Sequence, residues 1–282
     1  MKRKWKNIGI LFLALFSFYY TNHMTKFMEQ IDPIMIQIKE NEKKFSIPAT
    51  NAIIKGDSVE VGKNGYEIND HKSYQRMKKY GAYNETLMVL KEVKPEVSVE
   101  NHFDKYIVSG NKKDRNIGLV ILVKEDTDLK KITTILEKNN TPATFFMDGT
   151  FLEKNTSFIR NHSNFEWEIR SYQEKIEPSY LKTAISYLKT IHKKDGNYCL
   201  EENTGTILKI CSKMKMHTIK PPLRIKKGLY KEIKTRIENG LILAVDCNPY
   251  IEEELSATLQ YAKRKGYQWM NLRDFLHEKV EE

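Results

Sequence analysis

From Ile117 onward the chain repeats one alternation so regularly that few architectures can satisfy it. Short apolar runs at IGLVILV (117–123), ATFFM (143–147), FEWEI (165–169), NYCL (197–200), MHTI (216–219), LILAV (241–245) and YQWMN (267–271) are separated by helix-like segments. Runs of this length, with β-branched and aromatic residues and turn residues at their ends, read as buried strands. Between them, 128–138 puts Leu129, Ile132, Ile135 and Leu136 on one helical face. Segment 180–192, after Pro178, repeats Leu181, Ile185, Leu188 and Ile191. Helix-like stretches at 206–213, 229–238, 252–265 and 272–278 follow, and Gly196, Gly240 and Gly266 stand where helices stop. Strands joined through helices pair in parallel, because the crossover returns the chain to the same end of the sheet. The expected fold class is α/β, with a (β/α) barrel of about seven strands over 116–282. An open doubly wound sheet is the alternative. No glycine-rich phosphate loop follows a strand, so nucleotide binding has no support. Chemistry in such barrels gathers at the C-terminal strand ends.

The first 115 residues have a different character. Lys2, Arg3, Lys4 and Lys6 precede an apolar run from Ile8 to Phe16 that continues more weakly to Tyr20. Basic residues ahead of an apolar segment keep the N-terminus cytoplasmic and send the following chain outward. The run alone is short of the roughly 20 residues needed to span; it reaches that length only with Trp5 and the weakly polar stretch to Met24. No small-x-small cleavage site follows. Residues 1–28 are therefore expected to form an uncleaved signal-anchor, transmembrane helix, with the bulk extracytoplasmic at the cell membrane. Residues 29–115 read as a stalk and a small α+β region. It has strand-like pieces at 52–54, 58–61 and 106–108, a helix at 71–79, a turn at Lys63-Asn64-Gly65, and an apolar stretch, 85–93, expected to be buried. His71 and His102 stand alone and suggest no ligand set.

Composition adds one bias. Lys and Arg total 47 against 37 Asp and Glu, a net charge of +10. The charge reads as scattered, and no aromatic-and-arginine pattern of a nucleic-acid binder is present, so nucleic acid is excluded as a partner. A basic surface would favour a membrane or an anionic envelope polymer without selecting one. Cys199, Cys211 and Cys247 are too few and too far apart for a disulfide framework or zinc knuckle, and core packing is expected for each.

PATFFMDGTFLEKN (142–155) resembles the second strand and following helix of the polysaccharide deacetylase (NodB-like) family, and the resemblance runs from Ile117 to Leu276. It implies a metal-dependent hydrolase. In such enzymes an aspartate and two histidines hold zinc, a second aspartate acts as base on the bound water, and a late histidine acts as acid. The residues at those places differ here. T-F-D-D-G corresponds to 122–126, putting Lys124 at the base position and Glu125 at a metal position, with Asp126 or Asp128 there if the register slips. H-E-x-x-N-H-S-x-x-H falls on 165–174. Glu166, Ser171 and Tyr172 keep its outline, and Arg170 and Glu174 replace the histidines. His162 precedes the strand and belongs to the wrong end of the barrel. No arginine lies between Arg170 and Arg224, where the family's arginine motif would fall. The late motif matches 240–246, with Asp246 replacing the acid histidine.

Glu125, Glu174 and Asp246 could form an oxygen-only cation site, but Lys124 and Arg170 would compete for the same carboxylates. The expectation is a lost zinc site, no cofactor, and a pseudoenzyme of the deacetylase family acting as a glycan-binding or scaffolding module at the envelope. A divergent deacetylase acting on N-acetyl groups of wall polysaccharide is the second reading.

Overall fold

The computed structural model describes residues 2–170, 177–192, 198–202 and 206–278. Two compact units emerge. One contains residues 1–49 and 64–93, the other 50–63 and 94–282. Residues 50–63 and 94–115 thus join the barrel unit, whereas the sequence placed the boundary at 115.

The first unit opens with three helices, α1 (Lys2–Ile31), α2 (Pro33–Glu40) and α3 (Glu42–Phe45). Asp32 caps α2 by accepting the Ile34 N–H (2.9 Å), and Pro33 sits at the helix start, where its missing N–H costs nothing. The basic and apolar residues of 1–28 do share one helix. Among the described residues, however, no helix is long and apolar enough to cross a membrane. The expected span is therefore not shown: the apolar run gives way to Ser17, Thr21, Asn22 and His23 within the same helix. Phe12, Leu13, Phe16 and Phe18 on α1 are exposed.

In the second unit, β1 (Ile53–Lys55) and β2 (Ser58–Glu60) form a hairpin. Back in the first unit, β3 (Gly65–Ile68), α4 (Asp70–Tyr80) and β4 (Leu90–Val93) follow. Asn69 caps α4, Gly81 ends it in the left-handed region, and Ile38, Ile68 and Met77 form a small core. The stretch 85–93 is buried only in part: Leu87 and Met88 pack against this small core, whereas Leu90 is exposed, because β4 pairs only with β3 in a two-stranded sheet.

In the barrel unit the strands are β5 (Tyr106–Ser109), β6 (Asn116–Leu122), β7 (Thr144–Met147), β8 (Glu166–Ile169), β9 (Tyr198–Leu200), β10 (His217–Ile219), β11 (Leu223–Ile225), β12 (Leu241–Asp246) and β13 (Gln268–Met270). The intervening helices are α5 (Lys130–Lys138), α6 (Gly149–Lys154), α7 (Thr156–Asn161), α8 (Pro178–His192), α9 (Thr206–Lys213), α10 (Leu229–Arg236), α11 (Pro249–Arg264) and α12 (Leu272–Leu276). The architecture is mixed α/β, and each expected strand is present within about one residue at either end. Its hydrogen bonding is not one closed ring. It divides into two sheets, β1-β2-β5-β10-β9 and β11-β12-β6-β7-β8, with β13 also paired to β6. The sheets meet near β5 and β12, where the Gly110 N–H donates to the Gly240 carbonyl (2.9 Å).

Burial on both faces explains the continuous apolar runs. Ile117, Leu119 and Ile121 of β6 pack under the helices, whereas Val120 and Leu122 face the interior with Phe146, Ile242, Ala244 and Phe275. β9 and α9 are tied covalently: Cys199 and Cys211, both buried, form a disulfide with Cα atoms 6.5 Å apart. This corrects the expectation of simple core packing, since a strand and the helix packed beside it bring the two within bridging distance. Cys247 is free, and burial pushes its thiol up to about 12.

Inside the barrel Gly118 makes room for an aromatic ring. A Cβ there would lie 2.8 Å from Phe275 Cδ1, and one at Gly110 would lie 2.4 Å from its Cζ. Gly118→Ala should therefore destabilise the protein by roughly 1–3 kcal/mol through overpacking. Urea denaturation would measure this, and adding Phe275→Leu should recover part of the loss.

Candidate functional site

The alternation within each strand decides which side chains reach the barrel mouth. On β8, Trp167 and Ile169 join the outer core, so Glu166, Glu168 and the following Arg170 point inward. On β12, Leu243 and Val245 pack outward, leaving Asp246 inward at the strand's C-terminal end. Leu223 and Ile225 bury outward on β11, which turns Arg224 into the mouth. Glu202 follows β9 by two residues.

These four side chains form a ladder of alternating charge. The Arg170 guanidinium, 2% exposed, donates through Nε and Nη2 to both oxygens of Glu202, the Nη2 bond being 2.5 Å. Glu202 also accepts from Arg224 Nη1 at 3.0 Å. Arg224 in turn donates to Asp246 from Nε at 2.9 Å and from Nη2 at 3.2 Å. Two bidentate guanidinium–carboxylate pairs share one molecule's worth of space, each anion held between or against cations. Beside the ladder lies a cavity of about 360 Å³. Leu122, Leu200 and Ala244 line its floor, and Glu201, Lys220 and Arg224 its rim. Tyr106 donates its hydroxyl to Glu201 (3.1 Å) and lies under the Lys220 ammonium (4.9 Å from the ring centre). Burial and the Glu201 charge push the Tyr106 hydroxyl up to about 12.

Deeper in the barrel, Glu166 accepts the Thr144 hydroxyl (2.5 Å) and the Arg273 N–H (3.1 Å), while Thr144 accepts the Leu272 N–H (2.7 Å). The bonds stitch β7 and β8 to α12. Burial nevertheless raises the Glu166 carboxyl above the usual range. Glu168 approaches the Tyr198 N–H (3.5 Å), where β8 lies next to β9.

Of the five residues expected at a degenerate pocket, the structure brings two together, Arg170 and Asp246. Lys124 and Glu125 are exposed after β6. The Lys124 backbone N–H donates to the Thr127 hydroxyl (3.0 Å), Glu125 pairs with Lys154 (2.5 Å), and neither joins the ladder. Asp128 accepts the Lys130 N–H (3.0 Å) at the start of α5. Glu174, Ser171 and Tyr172 lie outside the described residues. His162 stands ahead of β8, stacked on Phe158. Glu202 and Arg224 were not singled out by the sequence. The signal existed: each follows or interrupts an apolar triplet at a C-terminal strand end.

A catalytic metal of the kind the resemblance implies does not fit this mouth. Each ladder carboxylate is already claimed by a guanidinium, and among the described residues no group of three His, Cys, Asp or Glu could hold a metal ion. A cation would have to displace an arginine from Glu202 or Asp246.

No family model matches the chain. A curated Bacillus subtilis (strain 168) protein, the uncharacterized protein YlxY, is 24% identical over 261 residues, covering 84% of this chain and 81% of its own length. Among solved structures, wild-type BA3943, a CE4 family pseudoenzyme from Bacillus anthracis, superposes with a TM-score of 0.68 at 23% identity, covering 89% of this chain and 97% of its own. A BA3943 mutant described as having restored enzymatic activity superposes equally well. PdaA of Bacillus subtilis, a family 4 carbohydrate esterase, covers only 61% of this chain at a TM-score of 0.53 and 18% identity. The chain thus has the fold of these CE4 family structures. Residues 117–282 are about three-fifths of the chain. A match covering 89% of it must therefore reach well into the residues ahead of Ile117, while the PdaA match is about the size of the barrel.

Two outcomes test the site's energetics. Glu202→Ala removes the carboxylate shared by both arginines and should cost about 3 kcal/mol in urea denaturation, as breaking a buried ion pair does. Glu166→Gln tests the interior carboxyl. Because its folded pKa is raised above the ordinary 4.5, the folded state holds the proton longer than the unfolded chain. Its contribution to stability is full below pH 4.5 and lost as pH rises through the folded value. The variant should lose less stability than wild type between pH 4.5 and neutrality, read as urea midpoints across that range.

Proposed function

We propose that the protein is a non-catalytic, deacetylase-like module of the cell envelope that binds glycan through its former catalytic mouth. The observation that carries this reading is the Arg170–Glu202–Arg224–Asp246 ladder. It fills the C-terminal strand ends with paired charges where metal-assisted hydrolysis needs three ligands and an open coordination position. The adjoining cavity, with an apolar floor and a rim of Glu201, Lys220 and Arg224, suits a neutral sugar that hydrogen-bonds to charged groups and covers Leu122 and Leu200. The likeness to a CE4 pseudoenzyme over most of the chain supports the same reading.

The proposed location is extracytoplasmic, with the protein held at a membrane through α1. The buried Cys199–Cys211 disulfide supports an oxidising compartment. The basic residues ahead of the apolar segment support outward orientation, and exposed Phe12, Leu13, Phe16 and Phe18 offer α1 an apolar surface for lipid.

One purified sample tests the activity. Full-length protein should carry no stoichiometric zinc by elemental analysis and release no acetate from N-acetylated chitin oligosaccharides or peptidoglycan. The same oligosaccharides should bind by calorimetry, and Arg224→Ala should weaken that binding. Stoichiometric zinc with turnover would make the protein an enzyme.

A further inference from the structure

We infer that the outer face formed by α8 and α9 is a binding groove for a phosphate-bearing polyanion, separate from the barrel mouth. The two helices carry lysines without acids of their own. Residues 178–192 and 206–216 contain five lysines (Lys182, Lys189, Lys209, Lys213 and Lys215) and no acid, Glu177 lying just ahead of α8. By contrast, α5, α10 and α11 all carry glutamates. This face is one local excess of positive charge within a generally basic chain.

Three of these lysines converge. Lys182 from α8 and Lys209 and Lys213 from α9 rim an open groove of about 430 Å³ whose floor is Pro178, Ile210 and Met214. Lys209 and Lys213 are one helical turn apart and so project side by side. All three are exposed, and among the described residues none forms an ion pair with a carboxylate. Some lysines elsewhere, among them Lys44, Lys63, Lys78, Lys91, Lys94 and Lys154, have an acid partner. Lysines clustered without counter-charge repel one another, and an anion that bridges them removes that repulsion. The disulfide at Cys211, between Lys209 and Lys213 in sequence, fixes α9 to β9 and holds the pair in place.

The shape selects the occupant. Ile210 and Met214 line the floor and are only partly exposed, so they do not protrude as the apolar wedge of a membrane-inserting face does. A concave apolar floor between cationic rims fits a flexible chain that alternates phosphodiesters with short carbon units. The phosphates would lie on the lysines and the carbon spacers on Pro178, Ile210 and Met214. This inference stands whether or not the mouth holds a glycan.

The test uses full-length protein and three probes: inorganic polyphosphate, a glycerol-phosphate polymer, and vesicles of anionic phospholipid. The polymers should bind, and Lys182→Ala/Lys209→Ala/Lys213→Ala should weaken polymer binding at least tenfold. Loss of three phosphate contacts should also flatten the salt dependence by about 2 in log K against log salt. A control lacking the same number of charges elsewhere, Lys44→Ala/Lys91→Ala/Lys94→Ala, should bind like wild type. Equal losses in the two variants would show a diffuse charge effect and overturn the groove. Binding to vesicles but to neither polymer would reassign it to a membrane surface and likewise overturn the proposal.

Discussion

A guanidinium buried to 2% exposure must keep its charge neutralised, and the mouth of this barrel is built around that requirement. Arg170 stands at the end of β8 with no route to water, so a carboxylate has to reach it. Glu202 does, and its second oxygen brings in Arg224, which is satisfied by Asp246. Four strand ends are thereby locked in one arrangement. An ion-pair chain of this kind contributes little net stability when compared with apolar packing, but it makes partial disassembly costly. The same fold that positions metal ligands at strand ends here positions a closed set of charges.

The interior beneath the ladder extends the argument. Glu166 and Glu168 occupy the inward positions of β8, where an ordinary barrel would place aliphatic side chains. Glu166 is retained through Thr144, the Arg273 backbone and the Arg273 side chain at 3.6 Å. The polar column from Glu166 to Arg170 runs parallel to an apolar half formed by Val120, Leu122, Ile242 and Ala244. The barrel core is therefore two-sided: apolar against β6 and β12, charged against β8.

The barrel unit was readable because its central strands β6, β7, β8 and β12 are buried on both faces and its helices on one, so hydrophobic pattern and architecture carry the same information. β11 escaped because its triplet, Leu223-Arg224-Ile225, follows two prolines and holds a charge at its centre. The mouth was half readable. Arg170 and Asp246 were placed by their positions at strand ends. Glu202 and Arg224 were missed because their partners lie 32 and 22 residues away in sequence, a proximity only the tertiary fold creates. Lys124 and Glu125 misled because both are exposed in the loop after β6, where Glu125 pairs with Lys154 instead. The Cys199–Cys211 bond has the same origin as the missed ladder residues: strand and helix packing set its Cα separation. In the first helix, helical continuity from Lys2 to Ile31 exceeds the length of apolar sequence inside it, so the apolar run alone does not set the helix's extent.

The cystine joining β9 to α9 gives that short segment two working sides. Two residues beyond β9 is Glu202, the hub of the inward charges; two residues either side of Cys211 are Lys209 and Lys213, facing out. A displacement of α9 by anything gripping its lysines is transmitted through a covalent strut to the strand that carries the hub. Inner and outer surfaces here are joined through one covalent bond.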